Sequence, residues 1–291
     1  MTARAPAWFE RKYINGAIHV LQASGYATRG LFQQATNIKG NEVVWKVAGS
    51  GEATPMSTAI ERRPTLNADR TTVAGTMAPW EANEDIQCVD LEQMSENETQ
   101  VAQETCGMAI GRAFDVIPIR AMDAALAAIP TIGNGTVLMT VNDLLESQTQ
   151  IMQPGLPPSF EINVLVPIRT IAALMLSRAF ANADYIQDSP LLKKLGARNY
   201  LGMKIIPLPD SYFVSTAVNS LDGYMFLKQA VGFATPTDAD GKIAAATRID
   251  YIAREKVWHA ANTMMACSAV ILPPGIRRLR FLNTGLPVSG L

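Results

Sequence analysis

Few residues in this sequence could act as catalytic nucleophiles, bases or metal ligands. The chain of 291 residues contains two histidines, His19 and His259, and three cysteines, Cys88, Cys106 and Cys267. A Ser-His-Asp or Cys-His arrangement would need one of these histidines, and neither lies in a recognisable nucleophile motif. The G-x-S-x-G, H-E-x-x-H, Walker and strand-linked G-x-G-x-x-G motifs are absent. We therefore expect no enzyme, no cofactor and no metal site; an active site built from carboxylates without a sequence signature is the alternative.

Composition narrows the class of protein. The chain is 48% hydrophobic and 18% charged, which is typical of a globular protein with one large domain or two small ones. Its cysteines are odd in number and far apart, so we expect a reducing compartment and no disulfide framework. No signal peptide and no apolar run of membrane-spanning length are found, so we expect a soluble protein with no membrane partner. A formal net charge of -1 argues against a dedicated nucleic-acid binder.

Charges are distributed unevenly along the chain. Residues 1–34 hold four cations against the single carboxylate Glu10, residues 81–104 hold eight carboxylates and no Lys or Arg, and residues 242–280 are basic again. Solvated faces explain such a pattern. Alternatively, the acidic stretch meets a basic segment of another copy, because complementary patches fix the register between subunits. On this second interpretation the predicted intersubunit contacts are Arg4, Arg11, Lys12, Arg29, Trp45, Glu81, Glu84 and Asp85.

The first third of the chain predicts extended structure that needs a neighbour. An amphipathic helix over 7–23, ended by Gly25, is followed by a strand over 42–47 and a second extended stretch over 71–78. These two stretches would pair antiparallel as a long β-loop. An isolated two-stranded ribbon is marginal in water, so we expect this loop to lie on another subunit.

A long helix is the strongest local signal. The sequence Ser-Glu-Asn-Glu at 95–98 has the form of a capping box, and an apolar stripe continues to about Leu126. Pro118 predicts a kink. The pair Gly107 and Gly111, four residues apart, would allow another backbone to come close.

Beyond residue 135 the pattern is that of a compact mixed α/β region. Strands are predicted over 160–166, 203–207, 223–231 and 276–282, with a helix over 168–180. The runs 245–261 and 263–272 are expected to pair antiparallel. The alternation favours a mixed sheet in an α+β fold over a regular βαβ array.

The order of these parts resembles the major capsid proteins of tailed bacteriophages, which have the Hong-Kong-97-like capsid fold. The resemblance covers essentially the whole chain. It depends on the shared order of short motifs, each weak alone, at 163–167, 180–185, 202–207, 226–232, 248–251, 258–259 and 270–276. It implies an N-terminal arm (1–34), an extended loop (35–86), a peripheral domain with a spine helix (87–130 and 245–282), an axial domain (131–244) and a C-terminal tail (283–291).

The resemblance also implies a function and partners. Pentamers and hexamers of the chain would form an icosahedral or prolate shell around double-stranded DNA, bound without sequence specificity. A separate scaffolding protein and a portal protein at one vertex are expected, and the resemblance allows a decoration protein. The protein would be assembled in the host bacterial cytoplasm and reside in the virion capsid.

Two alternatives stay open at this point. Within the same fold, an encapsulin-like shell would enclose a cargo enzyme instead of DNA. In a different class, the chain would be a soluble α/β enzyme with an unrecognised site, which predicts a small discrete oligomer.

Overall fold

The computed structural model of the protein describes residues 24–35, 38, 41–51, 53, 68–87, 98–156, 160–176, 198–214, 219–236 and 246–283. The helix predicted over 7–23, the first residues of the capping box and the end of the helix predicted over 168–180 lie outside these residues. The described helices are α1 (Glu98–Ala124), α2 (Val141–Met152) and α3 (Ile168–Leu176). The described strands are β1 (Gln33–Gln34), β2 (Glu42–Ala48), β3 (Arg70–Thr76), β4 (Ala78–Gln87), β5 (Thr131–Ile132), β6 (Ile162–Pro167), β7 (Arg198–Tyr200), β8 (Met203–Leu208), β9 (Ser220–Leu227), β10 (Val231–Ala234), β11 (Ala246–Ile252), β12 (Val257–Val270) and β13 (Ile276–Leu282).

A six-stranded sheet has the order β5-β13-β9-β6-β8-β7. Strand β6 runs parallel to β8 and β13 runs parallel to β5, whereas the other pairs are antiparallel. All six residues of β6 are buried, which explains its largely apolar sequence, and its one polar residue, Asn163, donates to the Leu31 carbonyl. The prediction of a mixed sheet is confirmed.

The second sheet is built around β12, its longest strand. Strand β12 pairs with β4 over ten residues, from Val257 opposite Gln87 to Ala266 opposite Ala78. On its other side it pairs with β11 and then with β10, which in turn pairs in parallel with β1. Strand β4 therefore joins the predicted loop region to the β11–β12 region far along the chain.

The predicted two-stranded loop is confirmed. Strands β2 and β3 pair antiparallel, from Glu42 opposite Thr76 to Ala48 opposite Arg70. Side chains alternate, so that Val43 and Trp45 are buried while Val44 and Lys46 are exposed. The buried face fixes the base of the hairpin against the sheet around β12, where it packs with Met77, Ala234 and Cys267.

The long helix α1 crosses behind the β12 sheet, and Pro118 lies within it. Its buried residues Ala102, Cys106, Ile110 and Phe114 recur every four residues, as a helix with one buried face requires. Phe114 packs edge-on against Phe233 of β10, with ring centroids 4.7 Å apart.

An aromatic cluster connects the two sheets. Phe32 stacks on Phe226 of β9 at 5.2 Å and also contacts Phe233 of β10 at 6.1 Å. Since β9 belongs to one sheet and β10 to the other, one continuous core is shared by both sheets and by α1.

The segment 24–35 is fixed on α1 by backbone contact. The amide of Tyr26 donates to the Gly111 carbonyl (3.2 Å), and the carboxylate of Asp115 accepts from the amides of Ala27 and Thr28 and from the Thr28 hydroxyl. Burial raises the pKa of Asp115 even though these donors lower it. The expectation that a small residue on α1 admits another backbone is therefore confirmed at Gly111.

Two predicted boundaries are wrong. The run 223–231 is not one strand: β9 ends at Leu227, a 3-10 turn covers Lys228–Ala230, and β10 enters the other sheet. The polar pair Lys228 and Gln229 interrupts the apolar run, and the Lys228 amide donates to the Glu161 carbonyl.

The boundary predicted between the strands 245–261 and 263–272 is also wrong, because β11 ends at Ile252 and β12 begins at Val257. The chain reverses at residues 253–256, where Lys256 has a left-handed φ of 55° and the Glu255 amide donates to the Ile252 carbonyl. Asn262, which lies between the two predicted strands, is buried within β12 and donates to the Gln103 carbonyl of α1.

Helix α2 was not predicted. It begins with a capping box in which the Thr140 hydroxyl accepts from the Asp143 amide and the Asp143 carboxylate accepts from the Thr140 amide. Its buried residues Val141, Leu144 and Ile151 are spaced as a helix requires.

We predict that Gly111→Ala lowers the free energy of unfolding of the subunit by about 1–3 kcal/mol. A methyl group there would lie 2.5 Å from the Ser24 carbonyl oxygen, and backbone cannot give way easily. Gly107→Ala, one turn earlier on α1, is the matched control: its nearest atom would be Asn262 Nδ2 at 3.8 Å. It should be neutral or stabilising by up to about 1 kcal/mol, because Ala favours helix. Urea denaturation of both variants measures the free energy of unfolding. Equal decreases in the two variants would contradict the close contact between Gly111 and the backbone of Ser24.

Candidate functional site

The residues that could do chemistry do not form a catalytic arrangement in the described chain. His259 on β12 lies opposite Asp85 of β4 and opposite Asp250 of β11, and its Nδ1 is 2.5 Å from Asp85 Oδ1. This is a cross-strand side-chain contact in which His259 is 30% and Asp85 60% exposed. Contacts of this kind contribute about 1 kcal/mol or less. His19 and Cys88 lie outside the described residues.

The two described cysteines are buried and held as thiols. Burial raises the pKa of Cys106 on α1, and the Glu84 carboxylate raises it further. Burial likewise raises the pKa of Cys267 on β12. Because the thiolate is the nucleophile, both are poorly reactive. Within the described ranges, no three His, Cys, Asp or Glu side chains come together as metal ligands would.

The acidic strip, defined as Glu81, Glu84 and Asp85, lies on β4. All three side chains are exposed. Alternation along the strand places Glu81 and Asp85 on one face of the sheet and Glu84 on the other, so the strip presents negative charge on both faces. Glu81 accepts a weak hydrogen bond from Asn83 (3.4 Å).

Strand β4 is also an edge. Among the strands that the structure describes, β4 pairs only with β12, so its outer row of amide and carbonyl groups faces away from the sheet. Charged side chains and a proline on an edge strand discourage unspecific pairing, and β4 carries Pro79 beside the acidic strip. Such an edge suits an extended, basic partner segment.

The other predicted contact residues that the structure describes, Arg29 and Trp45, differ in exposure. Arg29 is exposed beside α1, whereas Trp45 is only 7% exposed and its indole ring lies against its own chain. A Cβ on Gly232 would be 2.5 Å from the Trp45 ring, so the glycine makes room for it. Arg4, Arg11 and Lys12 lie outside the described residues. The structure contains one copy of the chain, and all of these intersubunit contacts stay predictions.

An open groove of about 760 Å³ lies between the hairpin and the body of the subunit. Strand β2 lines one side along its whole length, and β1, Gln229 and Ile271–Leu272 line the other. Trp45 Nε1 is buried at this place without a hydrogen-bond partner.

A buried ionic network, which the sequence did not predict, joins β13, β9 and α1. The Asp222 carboxylate, with a side chain 1% exposed, pairs with Arg278 and with Arg280. Two residues further along β9, the Tyr224 hydroxyl donates to Asp123 Oδ1 of α1 at 2.5 Å. The available signal was a lone Asp in an otherwise apolar strand and an Arg-rich strand later in the chain, which are complementary when paired.

The network perturbs the titration of its members. Burial raises the pKa of Asp123, while the Tyr224 hydroxyl bond and Arg120 lower it. Burial and the Asp123 carboxylate raise the pKa of Tyr224 strongly. The network therefore fixes α1 against the six-stranded sheet at an electrostatic cost.

The comparisons with known proteins show the family of this chain. A family model described as phage capsid protein matches residues 5–282. This chain belongs to the phage capsid protein family. No curated protein matches the sequence.

Solved capsid structures share the fold of this family member. The chain is similar to the capsid of cyanophage P-SCSP1u at 15% identity and a TM-score of 0.71, covering 95% of this chain and 94% of the other. It is similar to the capsid of Ralstonia phage GP4 at 10% identity and a TM-score of 0.74, covering 98% of both chains. It is also similar to the capsid of a native GTA particle at 14% identity and a TM-score of 0.67, covering 96% and 97%.

These matches confirm the α+β, Hong-Kong-97-like capsid fold and the structural function expected from the sequence. As a phage capsid protein the chain is a subunit of the virion capsid and assembles from copies of itself. Family and fold indicate a structural protein and give no support for an enzyme. No helix among the residues described is long and apolar enough to cross a membrane.

We predict that Tyr224→Phe lowers the free energy of unfolding by about 1.5–3 kcal/mol at pH 7, because a buried carboxylate loses its donor. The folded-state pKa of Asp123 is raised, so ionisation of this group costs stability as the pH rises from the unfolded-state pKa through the folded-state pKa. The loss in Tyr224→Phe should therefore shrink as the pH falls towards 4.

Asp123→Asn tests the same network from the other side. It removes the charge and keeps an oxygen acceptor for Tyr224, so its stability relative to the parent should be most favourable at neutral pH and decline on acidification. Urea denaturation at pH 7 and 4.5 measures both variants. Losses independent of pH in both would contradict a charged, desolvated Asp123.

Proposed function

We propose that this capsid protein forms pentamers and hexamers that close into an icosahedral or prolate shell around double-stranded DNA. The family match along residues 5–282 is the observation that carries the proposal. Matches covering 94–98% of solved capsid chains support it, because they extend over a whole capsid subunit and not only one domain. The GTA capsid, computed with C5 symmetry, offers a precedent for fivefold rings in a protein of this fold.

We assign the axial domain to residues 131–244, the peripheral domain to 87–130 with 245–282, the extended loop to 35–86, the arm to 1–34 and the tail to 283–291. Several strand pairs join one assigned range to another. Strand β4 of the loop and β10 of the axial range both pair with β12, and β13 pairs with β9. The domains are therefore coupled by backbone hydrogen bonds, which favours transmission of any movement of α1 to both sheets.

The acidic strip on β4 is proposed to bind the basic arm of a neighbouring copy. Arg4, Arg11, Lys12 and Arg29 supply the positive charge, and the arm is long enough to follow an edge strand of ten residues. Pairing of an extended segment with an edge strand uses main-chain hydrogen bonds, while the charges select the register. Trp45 supports this contact indirectly, by fixing the hairpin base.

DNA is proposed to be enclosed without sequence-specific contacts. With a formal net charge of -1 the chain cannot neutralise many phosphates. A separate scaffolding protein, a portal protein at one vertex and a decoration protein complete the set of proposed partners, with assembly in the host bacterial cytoplasm.

The assembly itself is tested by expressing the full chain with and without its scaffolding protein, followed by size-exclusion chromatography and negative-stain electron microscopy. Closed shells or rings of five and six subunits are expected, and packaged double-stranded DNA in particles from infected cells. A discrete monomer or dimer under both conditions, or shells that carry an enzyme in place of DNA, would contradict the proposal.

We predict that reversing the acidic strip with Glu81→Lys, Glu84→Lys and Asp85→Lys lowers the yield of closed shells at least tenfold. The matched control replaces the same residues by Gln, Gln and Asn, which should give an intermediate yield because repulsion is absent. The melting temperature of the unassembled subunit checks folding, since Asp85 also pairs with His259. Equal shell yields for the parent, neutral and reversed proteins would rule out this contact.

A further inference from the structure

The loop after β5 contains Asn134 followed by Gly135, a dipeptide that is chemically labile in proteins. The side-chain amide of an asparagine can react with the next backbone nitrogen, and a glycine in the second position leaves that nitrogen unhindered by a Cβ. Asn134 is exposed, so solvent reaches its side chain. The same dipeptide occurs once more in the chain, at Asn15 and Gly16, outside the described residues.

The reaction open to this dipeptide is a cyclisation followed by hydrolysis. The Gly135 nitrogen attacks the side-chain carbonyl carbon of Asn134, and the new C–N bond closes a five-membered succinimide ring. The side-chain nitrogen leaves as ammonia and takes up the proton that the Gly135 amide loses. Water then opens the ring at either carbonyl, which leaves aspartate or isoaspartate at position 134.

The shape of the loop depends on the same two residues. Gly135 has a φ of 83°, and a Cβ there would be 3.1 Å from the Ser220 Cβ, so glycine is the residue that fits without strain. The side-chain oxygen of Asn134 accepts from the Thr136 amide (3.0 Å) and from the Thr136 hydroxyl (2.7 Å), which closes an Asx turn. The turn therefore places a labile dipeptide at the surface of the subunit.

The attacking nitrogen is engaged in the folded subunit. The Gly135 amide donates to the Arg280 carbonyl of β13 at 3.1 Å, and Gly135 is buried although Asn134 is exposed. Because the nitrogen must give up its proton and turn towards the side chain before it attacks, this hydrogen bond has to open first. The acceptor is fixed, since β13 pairs with β5 on one side and with β9 on the other.

We propose that Asn134 is a latent deamidation site, which the hydrogen bond from Gly135 to Arg280 keeps closed in the folded subunit and which reacts when the loop opens away from β13. The isoaspartate product adds one carbon atom to the main chain at the place where Gly135 packs against Ser220. Conversion is irreversible and does not fit the closed loop. Deamidation at position 134 therefore marks subunits that have opened or unfolded.

Peptide mapping by mass spectrometry tests the proposal on the full, unassembled chain. The protein is incubated at mildly alkaline pH in buffer and in guanidinium chloride, and aspartate and isoaspartate are quantified at Asn134 and Asn15. In denaturant the two asparagines should convert at comparable rates. In the folded subunit Asn134 should convert about tenfold more slowly than in denaturant, or more slowly still, because only the open fraction reacts. Equal rates for Asn134 in the two conditions, or no conversion in denaturant, would overturn the proposal.

Leu279→Ala tests whether local opening controls the reaction. Leu279 is 1% exposed and precedes Arg280 on β13, opposite Ile132 of β5, so its truncation weakens the pairing beside the loop. The folded variant should deamidate at Asn134 about fivefold faster than the parent, with an unchanged rate in denaturant. Ile86→Ala, which truncates a buried side chain of the other sheet, is the matched control and should keep the parent rate. Equal acceleration in both variants would overturn local control, and the comparison on the parent chain decides the proposal if a variant does not fold.

Discussion

The packing of one helix against two sheets is the interaction on which this subunit depends. Helix α1 contributes Phe114 to an aromatic cluster whose other members come from β9 in one sheet, from β10 in the other and from Phe32 in the segment that crosses α1 at Gly111. Neither sheet closes into a barrel, and each needs one face covered. Because a single core serves both, displacing α1 would expose both sheets at once.

Among the described residues, the same arrangement leaves several strand edges without a partner strand in a single subunit. The hairpin β2–β3, the outer edge of β4 and the edge strand β7 all present backbone groups or apolar side chains that a compact monomer would cover. Membership of the phage capsid family gives these features a common explanation, since a shell supplies each subunit with several neighbours.

Most elements with a local signal could be predicted, although helix α2 was missed despite the capping box at Thr140, and elements that depend on a distant partner could not. The β2–β3 hairpin, α1 and β13 carry periodicity and turn residues in their own sequence, so they could be predicted. Division of the run 223–231 between two sheets, and burial of Asn262 beneath α1, depend on packing that no local pattern encodes. Exposure of the acidic strip follows from its charge, whereas burial of Asp222 depends on strand β13, which places Arg280 opposite it and Arg278 diagonal to it.

The distribution of charge and strain indicates how binding energy is divided in such a subunit. Strong, desolvated interactions such as Asp222 with Arg278 lie inside the chain, where removing one partner costs several kcal/mol. The exposed surface carries instead screened carboxylates such as the acidic strip on β4, whose ion pairs are worth about 1 kcal/mol or less. Contacts of that size are individually reversible. Repeated by symmetry over a closed shell they become collectively strong, and the resulting container needs no single dominant site.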